Sequence, residues 1–502
     1  MSTDGLVPGN AHDERLRGEV HPKDWPWPEP AERYNLVVIG GGPAGLVAAM
    51  GAAAMGGRVA LVEQALLGGD CLNTGCIPSK ALIRVASAAH AARDAGRFGV
   101  EVGEVSVDFA TAMERMRSIR ADIAPHDGAM RLRDAGVDVF LGRGTFVSGD
   151  AIEVSAGDGR TGTLRFARAL IATGSRPAVP PIPGLDAVGA RTSETVFALE
   201  TLPPRLIVLG AGVIGCELAQ AFARMGSSVT LLDQGDRVLA REEPEAGAAV
   251  EEQLRRDGVD VRLGVRVVRF DVTPTGPVAV LSDGSGIEGD SVLLAAGRVP
   301  NLDLGLEHAG IESTPQGIVV DAHLATTNAR VFAAGDVIGQ AAYTHAADHH
   351  ARLVLRNALF FGKARVGDLV IPRVTFTDPE VAAVGMGHAE AAATPGVQTF
   401  TVQMSETDRG RTDGEARGYG RVHADARGVI RGATIVGTAA GELLAPLTLA
   451  MTHGITLSDI ASTVHPYPTR SEVVFQLASA FNRTRLTPTA QRLSRTILGW
   501  RR

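Results

Sequence analysis

Short unbroken apolar runs, each ending in a cluster of glycines, set the rhythm of this chain. Leu36-Val37-Val38-Ile39 leads directly into Gly40-Gly41-Gly42-Pro43-Ala44-Gly45, and an alanine-rich stretch follows. Leu206-Ile207-Val208-Leu209 leads in the same way into Gly210-Ala211-Gly212-Val213-Ile214-Gly215, followed by Cys216 to Met225. Such runs predict short strands buried on both faces, and the continuations predict helices. Each copy then adds a second strand ending in an acid, Val59 to Val62 before Glu63 and Val229 to Leu232 before Asp233. Both acids stand 23 residues after the first glycine of their unit, so the chain contains an internal repeat.

The glycine spacing has a physical reading. The first glycine (Gly40, Gly210) permits a tight turn, the second (Gly42, Gly212) lets backbone approach a pyrophosphate, and the third (Gly45, Gly215) packs helix on strand. The helix N-terminus receives the negative charge, and the acid accepts hydrogen bonds from an adenosine ribose. Two such units predict an α/β protein with two Rossmann-like dinucleotide-binding domains. Later echoes, Ala169 to Gly174 and Leu293 to Gly297, read as strands with tight exits. Proline-rich segments at Pro177 to Pro183 and Leu202-Pro203-Pro204 suit crossings between domains, so the second unit is expected as an insertion in the first. From about residue 366 the pattern changes to strand-like runs, Val374-Thr375-Phe376 and Gly428 to Val436, and then to helices, which predicts an α+β third domain. The expected organisation is an N-terminal arm at 1–33, the first dinucleotide-binding domain at 34–195 and 306–365, the second at 196–305, the α+β domain at 366–490 and a tail at 491–502.

Composition agrees with this division, since 502 residues at a prior of about 150 per domain suggest about three domains. Hydrophobic residues at 45%, charged residues at 21% and 60 glycines describe a globular protein, with aliphatic cores because aromatics are only 4%. The net charge of −7 and the lack of a long basic run leave little footprint for nucleic acid or an anionic membrane. No apolar run reaches the roughly 18 to 20 residues of a membrane helix. Residues 1–33 show no apolar signal-peptide region, and Trp25-Pro26-Trp27-Pro28-Glu29-Pro30 resists both helix and central strand, so an extended arm and a cytoplasmic protein are expected. Three cysteines do not make a secreted disulfide scaffold, and two of them lie close together, which points to catalysis.

That pair sits in Gly68-Gly69-Asp70-Cys71-Leu72-Asn73-Thr74-Gly75-Cys76-Ile77-Pro78-Ser79-Lys80. In a regular helix, residues five apart have Cα atoms roughly 8.6 Å apart, beyond the roughly 7 Å limit for a disulfide. The backbone must therefore be distorted there; Gly75 supplies the freedom and Pro78 suits the first turn of the helix that resumes. A thiol near a helix N-terminus has a lowered pKa. A purely structural disulfide is the plainer alternative, and a zinc site lacks a second ligand pair. Cys216 reads as a small buried residue packing helix on strand.

With these residues in place, the chain resembles the class I pyridine nucleotide-disulfide oxidoreductases, a family that includes dihydrolipoamide dehydrogenase, glutathione reductase and mercuric reductase. The resemblance covers roughly residues 34 to 490 in family order: first fingerprint, cysteine pair, Ala172-Thr173-Gly174, second fingerprint, Gly297-Arg298-Val299-Pro300-Asn301 and Ala334-Gly335-Asp336. It implies FAD on the first domain, held by Gly40, Gly42, Gly45, Glu63, Gly69, Thr173, Gly174 and Asp336. It implies NADH or NADPH on the second, held by Gly210, Gly212, Gly215, Asp233 and Gly297. It further implies a homodimer, a hydride passed from nicotinamide to flavin beside Lys80 and its partner Glu217, Cys76 as the flavin-side sulfur and Cys71 as the outward thiol. Asp233 favours NADH, because it would repel a 2′-phosphate, although Arg237 lies near enough in sequence to compensate.

One motif departs from the family. His465-Pro466-Tyr467-Pro468-Thr469-Arg470-Ser471-Glu472 keeps Pro-Thr and the glutamate of the disulfide reductases, but Tyr467 stands where they carry a catalytic histidine, and His465 is two residues early. Tyrosine there resembles mercuric reductase, yet no cysteine follows Cys216 to match that enzyme's C-terminal pair, and its N-terminal metal-binding domain has no counterpart. Three readings stand: an oxidoreductase acting on a small-molecule or ion acceptor such as a metal ion, quinone or oxidant; a thiol-disulfide reductase using His465; and a low-turnover redox sensor.

Overall fold

A computed structural model describes residues 8–340, 342–415 and 417–501. The chain forms two compact units, a first that runs to Asp236 and again from Asp257 to Leu369, and a second made of Arg237–Arg256 with the chain from Val370 onward.

In the first unit, β1 (Tyr34–Ile39) lies parallel to β2 (Val59–Glu63), with Val38 opposite Leu61. On its other side it pairs with Thr161–Ile171, and Val331–Ala333 returns to pair with that same strand. Nearly every residue of β1 and β2 is buried, because α2 (Pro43–Ala54) and other segments cover the sheet. The turn between β1 and α2 requires glycine. Gly40 has φ +107°, and a Cβ there would stand 2.3 Å from the Ala172 carbonyl oxygen. A Cβ on Gly45 would stand 1.8 Å from the Gly40 oxygen, so the third glycine lets α2 lie against the turn. The second copy repeats this at Gly210 and Gly215 inside a five-stranded sheet ordered 260–262, 228–232, 205–209, 291–294, 191–192.

The N-terminal segment departs from the extended arm its composition suggested. Residues Ala11–Val20 form helix α1, capped by Asn10, whose side-chain oxygen accepts from the His12 and Asp13 N–H groups. Leu16 and Val20, one helical turn apart, are fully buried in the core of the first unit. Only the proline-tryptophan run beyond it is extended. There the Trp25 and Trp27 indole N–H groups donate to the carbonyls of Val139 and Leu141 in the edge strand Val137–Leu141, which satisfies groups that would otherwise be bare.

The second unit holds an antiparallel five-stranded sheet ordered 372–375, 380–385, 430–437, 419–425, 397–403, with helices Ala440–His453 and Glu472–Thr484 packed on it. Residues 237–256, which follow the second fingerprint in sequence, pack here. Glu243 accepts hydrogen bonds from Arg421 Nη1 (2.6 Å), Tyr419 Oη (3.0 Å) and Thr434 Oγ1 (3.1 Å). Burial opposes its charge, but His423, Arg421, Tyr419 and Thr434 together outweigh burial and hold its carboxyl down at about 2.

Candidate active site

Cys71 lies in a five-residue helix, α3 (Gly69–Asn73), and Cys76 opens α4 (Cys76–Asp94). The break between them supplies the distortion that the spacing demanded. Gly75 caps α4 with φ −130° and ψ −106°, and a Cβ there would press to 2.8 Å from the Asp70 carbonyl oxygen. Both cysteines are half-buried thiols, and they hydrogen-bond to each other.

The two thiols are electrostatically unequal. The hydrogen bond from Cys71 pulls the Cys76 thiol down to about 6 against the opposing effect of burial; Thr344 and the Lys80 ammonium add to the pull. Cys71 is pushed up by the same bond and by burial. Cys76 is therefore the thiolate of the pair. Thr344, the first residue of helix Thr344–Leu359, places its hydroxyl 3.3 Å from Cys76 Sγ.

Lys80 follows Cys76 by one helical turn, which puts both on one face of α4. Its ammonium donates to Glu217 Oε2 at 2.8 Å, and the Glu217 side chain is only 4% exposed. Glu217 belongs to helix Val213–Met225 of the second fingerprint, so one ion pair ties α4 to that helix. In the same helix Cys216 is fully buried, with its Sγ donating to the Ala211 carbonyl.

A second network converges on the residue before Cys71. Arg298 donates to Asp70 and, at 2.8 Å, to both the Ser175 hydroxyl and carbonyl; Ser175 Oγ in turn donates to Asp336 Oδ2 at 2.6 Å. Thr173 Oγ1 donates to the Asn301 carbonyl, and Asn301 returns a bond to the Thr173 carbonyl. Gly174 and Gly297 both have positive φ, +65° and +112°. The motifs Ala172-Thr173-Gly174, Gly297 to Asn301 and Asp336 are thus stitched together. Sequence reasoning gave no role to Arg298, Ser175, Asp70 or Thr344. Arg298 and Asp70 were at least visible inside motifs, whereas nothing in the sequence marked Thr344.

The residues present fit two dinucleotides. Neither α2 nor Val213–Met225 has a side-chain cap, so their first-turn N–H groups are free for an anion. A Cβ on Gly42 would find only the Gly69 Cα, at 3.8 Å, and one on Gly212 would find nothing within 4 Å, which leaves room for a pyrophosphate against each turn. Glu63 accepts from the Gly41 and Ala65 N–H groups, both at 2.6 Å, and Asp233 from Ala211 (2.6 Å) and Gly235 (2.7 Å). Each carboxylate fixes its glycine turn in this way and keeps further lone pairs for hydroxyl donors. Burial raises the pKa of Glu63 against the lowering by these N–H groups.

The C-terminal motif lies in the second unit. Tyr467 is 71% exposed, and its hydroxyl donates to Asp408 Oδ2 at 2.7 Å. Glu472 Oε2 accepts the Asp408 N–H at 3.1 Å, so Tyr467 and Glu472 share one anchor. The bond to Asp408 and its negative charge raise the Tyr467 phenol above its usual range. His465 turns elsewhere, with Nε2 3.1 Å from the Ile460 carbonyl and its ring against Phe475.

Two dinucleotide folds, an adjacent thiol pair on the first and a lysine-glutamate bridge between them define a flavin- and nicotinamide-dependent dithiol oxidoreductase. The chain belongs to the pyridine nucleotide-disulphide oxidoreductase family, whose model matches residues 34–351, and residues 371–478 match that family's dimerisation domain. It is 37% identical over 462 residues to a mercuric reductase from Streptomyces lividans, covering 89% of this chain and 96% of that protein. To dihydrolipoyl dehydrogenase 2 from Haloarcula marismortui it is 36% identical over 458 residues, with the same two coverages. Among solved structures it superposes on LpdA from Mycobacterium tuberculosis with a TM-score of 0.83 at 28% identity, covering 90% of this chain and 99% of that one. The HOCl-induced flavoprotein disulfide reductase RclA from Escherichia coli gives 0.80 at 29% identity, covering 89% and 99%. The protein is an enzyme of this family that uses FAD and NAD(P)H. Among the described residues, no helix is long and apolar enough to cross a membrane.

Proposed function

We propose that this enzyme passes electrons from NADH, in preference to NADPH, through FAD and the Cys71/Cys76 pair to an electrophilic acceptor that releases no thiolate: a metal ion, a quinone or a reactive oxidant. The observation that supports this reading is the C-terminal motif, where Tyr467, an exposed phenol held by Asp408, stands in sequence where the disulfide reductases it resembles carry a histidine. A histidine titrates near neutrality and can shuttle the proton that thiol-disulfide exchange needs. A phenol whose pKa is raised further by Asp408 does this poorly at pH 7. His465 has its Nε2 hydrogen bond committed to Ile460, which argues against its replacing the missing base.

FAD, when bound, supplies the hydride acceptance and the two-electron relay. Lys80 and Glu217 hold α4 and its thiolate in register with the nicotinamide-binding helix. Cys76 serves as the flavin-side sulfur, consistent with its thiolate character, and Cys71 as the outward thiol that meets the acceptor. When the Cys71 thiol and the Cys76 thiolate close to a disulfide they give up two electrons and one proton. A quinone takes these with a second proton from solvent as the hydroquinone; hypochlorous acid takes them as chloride and water; a divalent metal ion takes the two electrons while the proton leaves to solvent.

The preference for NADH rests on Asp233, whose carboxylate would repel a 2′-phosphate; Arg237, the cation able to relieve that, donates to the Ala240 carbonyl. The enzyme works as a cytoplasmic homodimer in which Tyr467 of one subunit faces the cysteine pair of the other. Steady-state NADH oxidation against lipoamide, glutathione disulfide, quinones, divalent metal ions and hypochlorite tests the proposal. Turnover with one non-thiol class, altered in Tyr467→Phe and nearly intact in His465→Ala, is the expected result. Vigorous lipoamide reduction abolished by His465→Ala would establish a thiol-disulfide reductase instead, and negligible turnover with every acceptor would point to a sensor.

A further inference from the structure

The N-terminal helix α1 lies outside the residues that match the family, 34–351 and 371–478, yet it is tied to the redox loop on both sides of Cys71. Ahead of the cysteine, the Leu67 N–H donates to the Val20 carbonyl at 3.2 Å, and the His21 ring hydrogen-bonds the Ala65 carbonyl. Behind it runs a buried relay. Asp13 Oδ1 accepts from Arg120 Nη2 at 2.8 Å, and Arg120 Nη1 donates at 2.8 Å to the carbonyl of Asn73, the last residue of the short helix that carries Cys71. Asp13 is 2% exposed and Arg120 3%. The Asn73 side chain, itself fully buried, donates to the Leu67 and Gly69 carbonyls and closes the loop on itself.

The chemistry of each link is plain. A five-residue helix does not hold its shape alone, and the last carbonyls of any helix lack partners within it. The Arg120 guanidinium fills that need for Asn73, midway between the two cysteines. A buried guanidinium in turn needs a counter-charge, and Asp13 is the carboxylate that bonds it. Arg117 stands 3.8 Å from the other Asp13 oxygen, so without Asp13 two buried cations would face each other unpaired on helix α5 (Phe109–Ile123).

We propose that Asp13 is a positioning residue for the redox pair: through Arg120 it fixes the Asn73 carbonyl and so the placement of Cys71 against Cys76, making α1 a strap for the active loop rather than a passive extension. Its effect is on the alignment of the two thiols, because the relay reaches the loop that carries them. The nicotinamide-binding turn at Gly210 to Gly215 is outside the relay. This rests on the redox role given above to Cys71 and Cys76 but not on the acceptor.

The test uses full-length, FAD-loaded enzyme reduced with dithiothreitol, so the outcome does not depend on which acceptor is correct. Alkylation by iodoacetamide is followed against pH, with the labelled cysteine located by mass spectrometry. In Asp13→Asn the alkylation midpoint of Cys76 should rise by about one pH unit, a roughly tenfold loss of thiolate at fixed pH below it. Flavin reduction by NADH in stopped flow should change by less than about twofold, since that step lies upstream of the thiols. Leu16→Ala, which loosens the same helix without touching the relay, should leave the midpoint in place. Should Asp13→Asn fail to fold, Asp13→Leu combined with Arg117→Met and Arg120→Met removes all three buried charges together and still deprives Asn73 of its donor. A folded, FAD-loaded variant of either kind with the wild-type pH profile would overturn the proposal. So would a shift in Leu16→Ala equal to that in the Asp13 variant, which would mark α1 as a merely structural element.

Discussion

Replacing Thr344 with valine keeps the shape of the side chain and removes the hydroxyl that lies 3.3 Å from Cys76 Sγ. A hydrogen bond to a charged group contributes about 1.5–3 kcal/mol. Sulfur is a soft, diffuse acceptor and the contact is long, so the lower end applies, about 1.5 kcal/mol. At 1.36 kcal/mol per pKa unit, that loss should raise the Cys76 thiol by about one unit. The hydrogen bond from Cys71, the largest influence on Cys76, remains in place, so the thiol should not return to its ordinary value. Starting from about 6, Cys76 would titrate close to neutrality in the variant. At pH 7 its thiolate fraction would fall from roughly nine-tenths to roughly one-half. A thiolate beside an oxidised flavin gives a long-wavelength absorption band, so pH titration of that band in the two-electron-reduced enzyme reads the shift directly. A midpoint that moves by less than about 0.3 units would refute the assignment of Thr344 as a donor to the thiolate.

Anaerobic titration should need two electron pairs for full reduction in the wild type and one in Cys76→Ser, and a wild type reduced by a single pair would remove the disulfide from the mechanism. Replacing Asp233 with serine should erode the preference for NADH over NADPH by about tenfold, read as the ratio of the two kcat/KM values; a wild type that favours NADPH tenfold would reverse the cofactor assignment. Glu243 carries a pH signature of stability. Its folded-state value of about 2 lies below the ordinary 4.5, so the stabilisation is fully present above about 4.5 and is lost as pH falls through 2. Acid-induced unfolding, followed by circular dichroism, should therefore be less steep in that window for Glu243→Gln, and an identical slope would show that the network around Glu243 is already broken in the native protein.

What could be read in the sequence was whatever local chain physics controls. The two glycine turns were legible because Gly40 and Gly210 must hold positive φ against a neighbouring carbonyl, a demand met within one strand-turn-helix unit. The broken helix between Cys71 and Cys76 was legible because helix geometry alone forbids an unbroken one. The departure at Tyr467 was legible as a residue out of place in a motif, although its anchor, Asp408, lies 59 positions away and was not.

Composition hides helix α1, because the Trp25 to Pro30 run dominates the segment, although Asn10 and the spacing of Leu16 and Val20 mark a capped helical turn ahead of it. Residues 237–256 follow the second fingerprint in the chain but bury Glu243 among Arg421, Tyr419 and Thr434, partners nearly 180 or more positions away. Composition assigns such a segment to its sequence neighbours; only packing shows where its charge is compensated. The same holds at the thiols. Sequence determined that two cysteines stand close together and that two dinucleotide-binding turns accompany them, because those rest on short motifs. Tertiary structure alone decided which sulfur carries the charge, through a hydroxyl 268 positions from Cys76 and a lysine whose partner stands 137 positions off, since electrostatics acts across space and takes no account of distance along the chain.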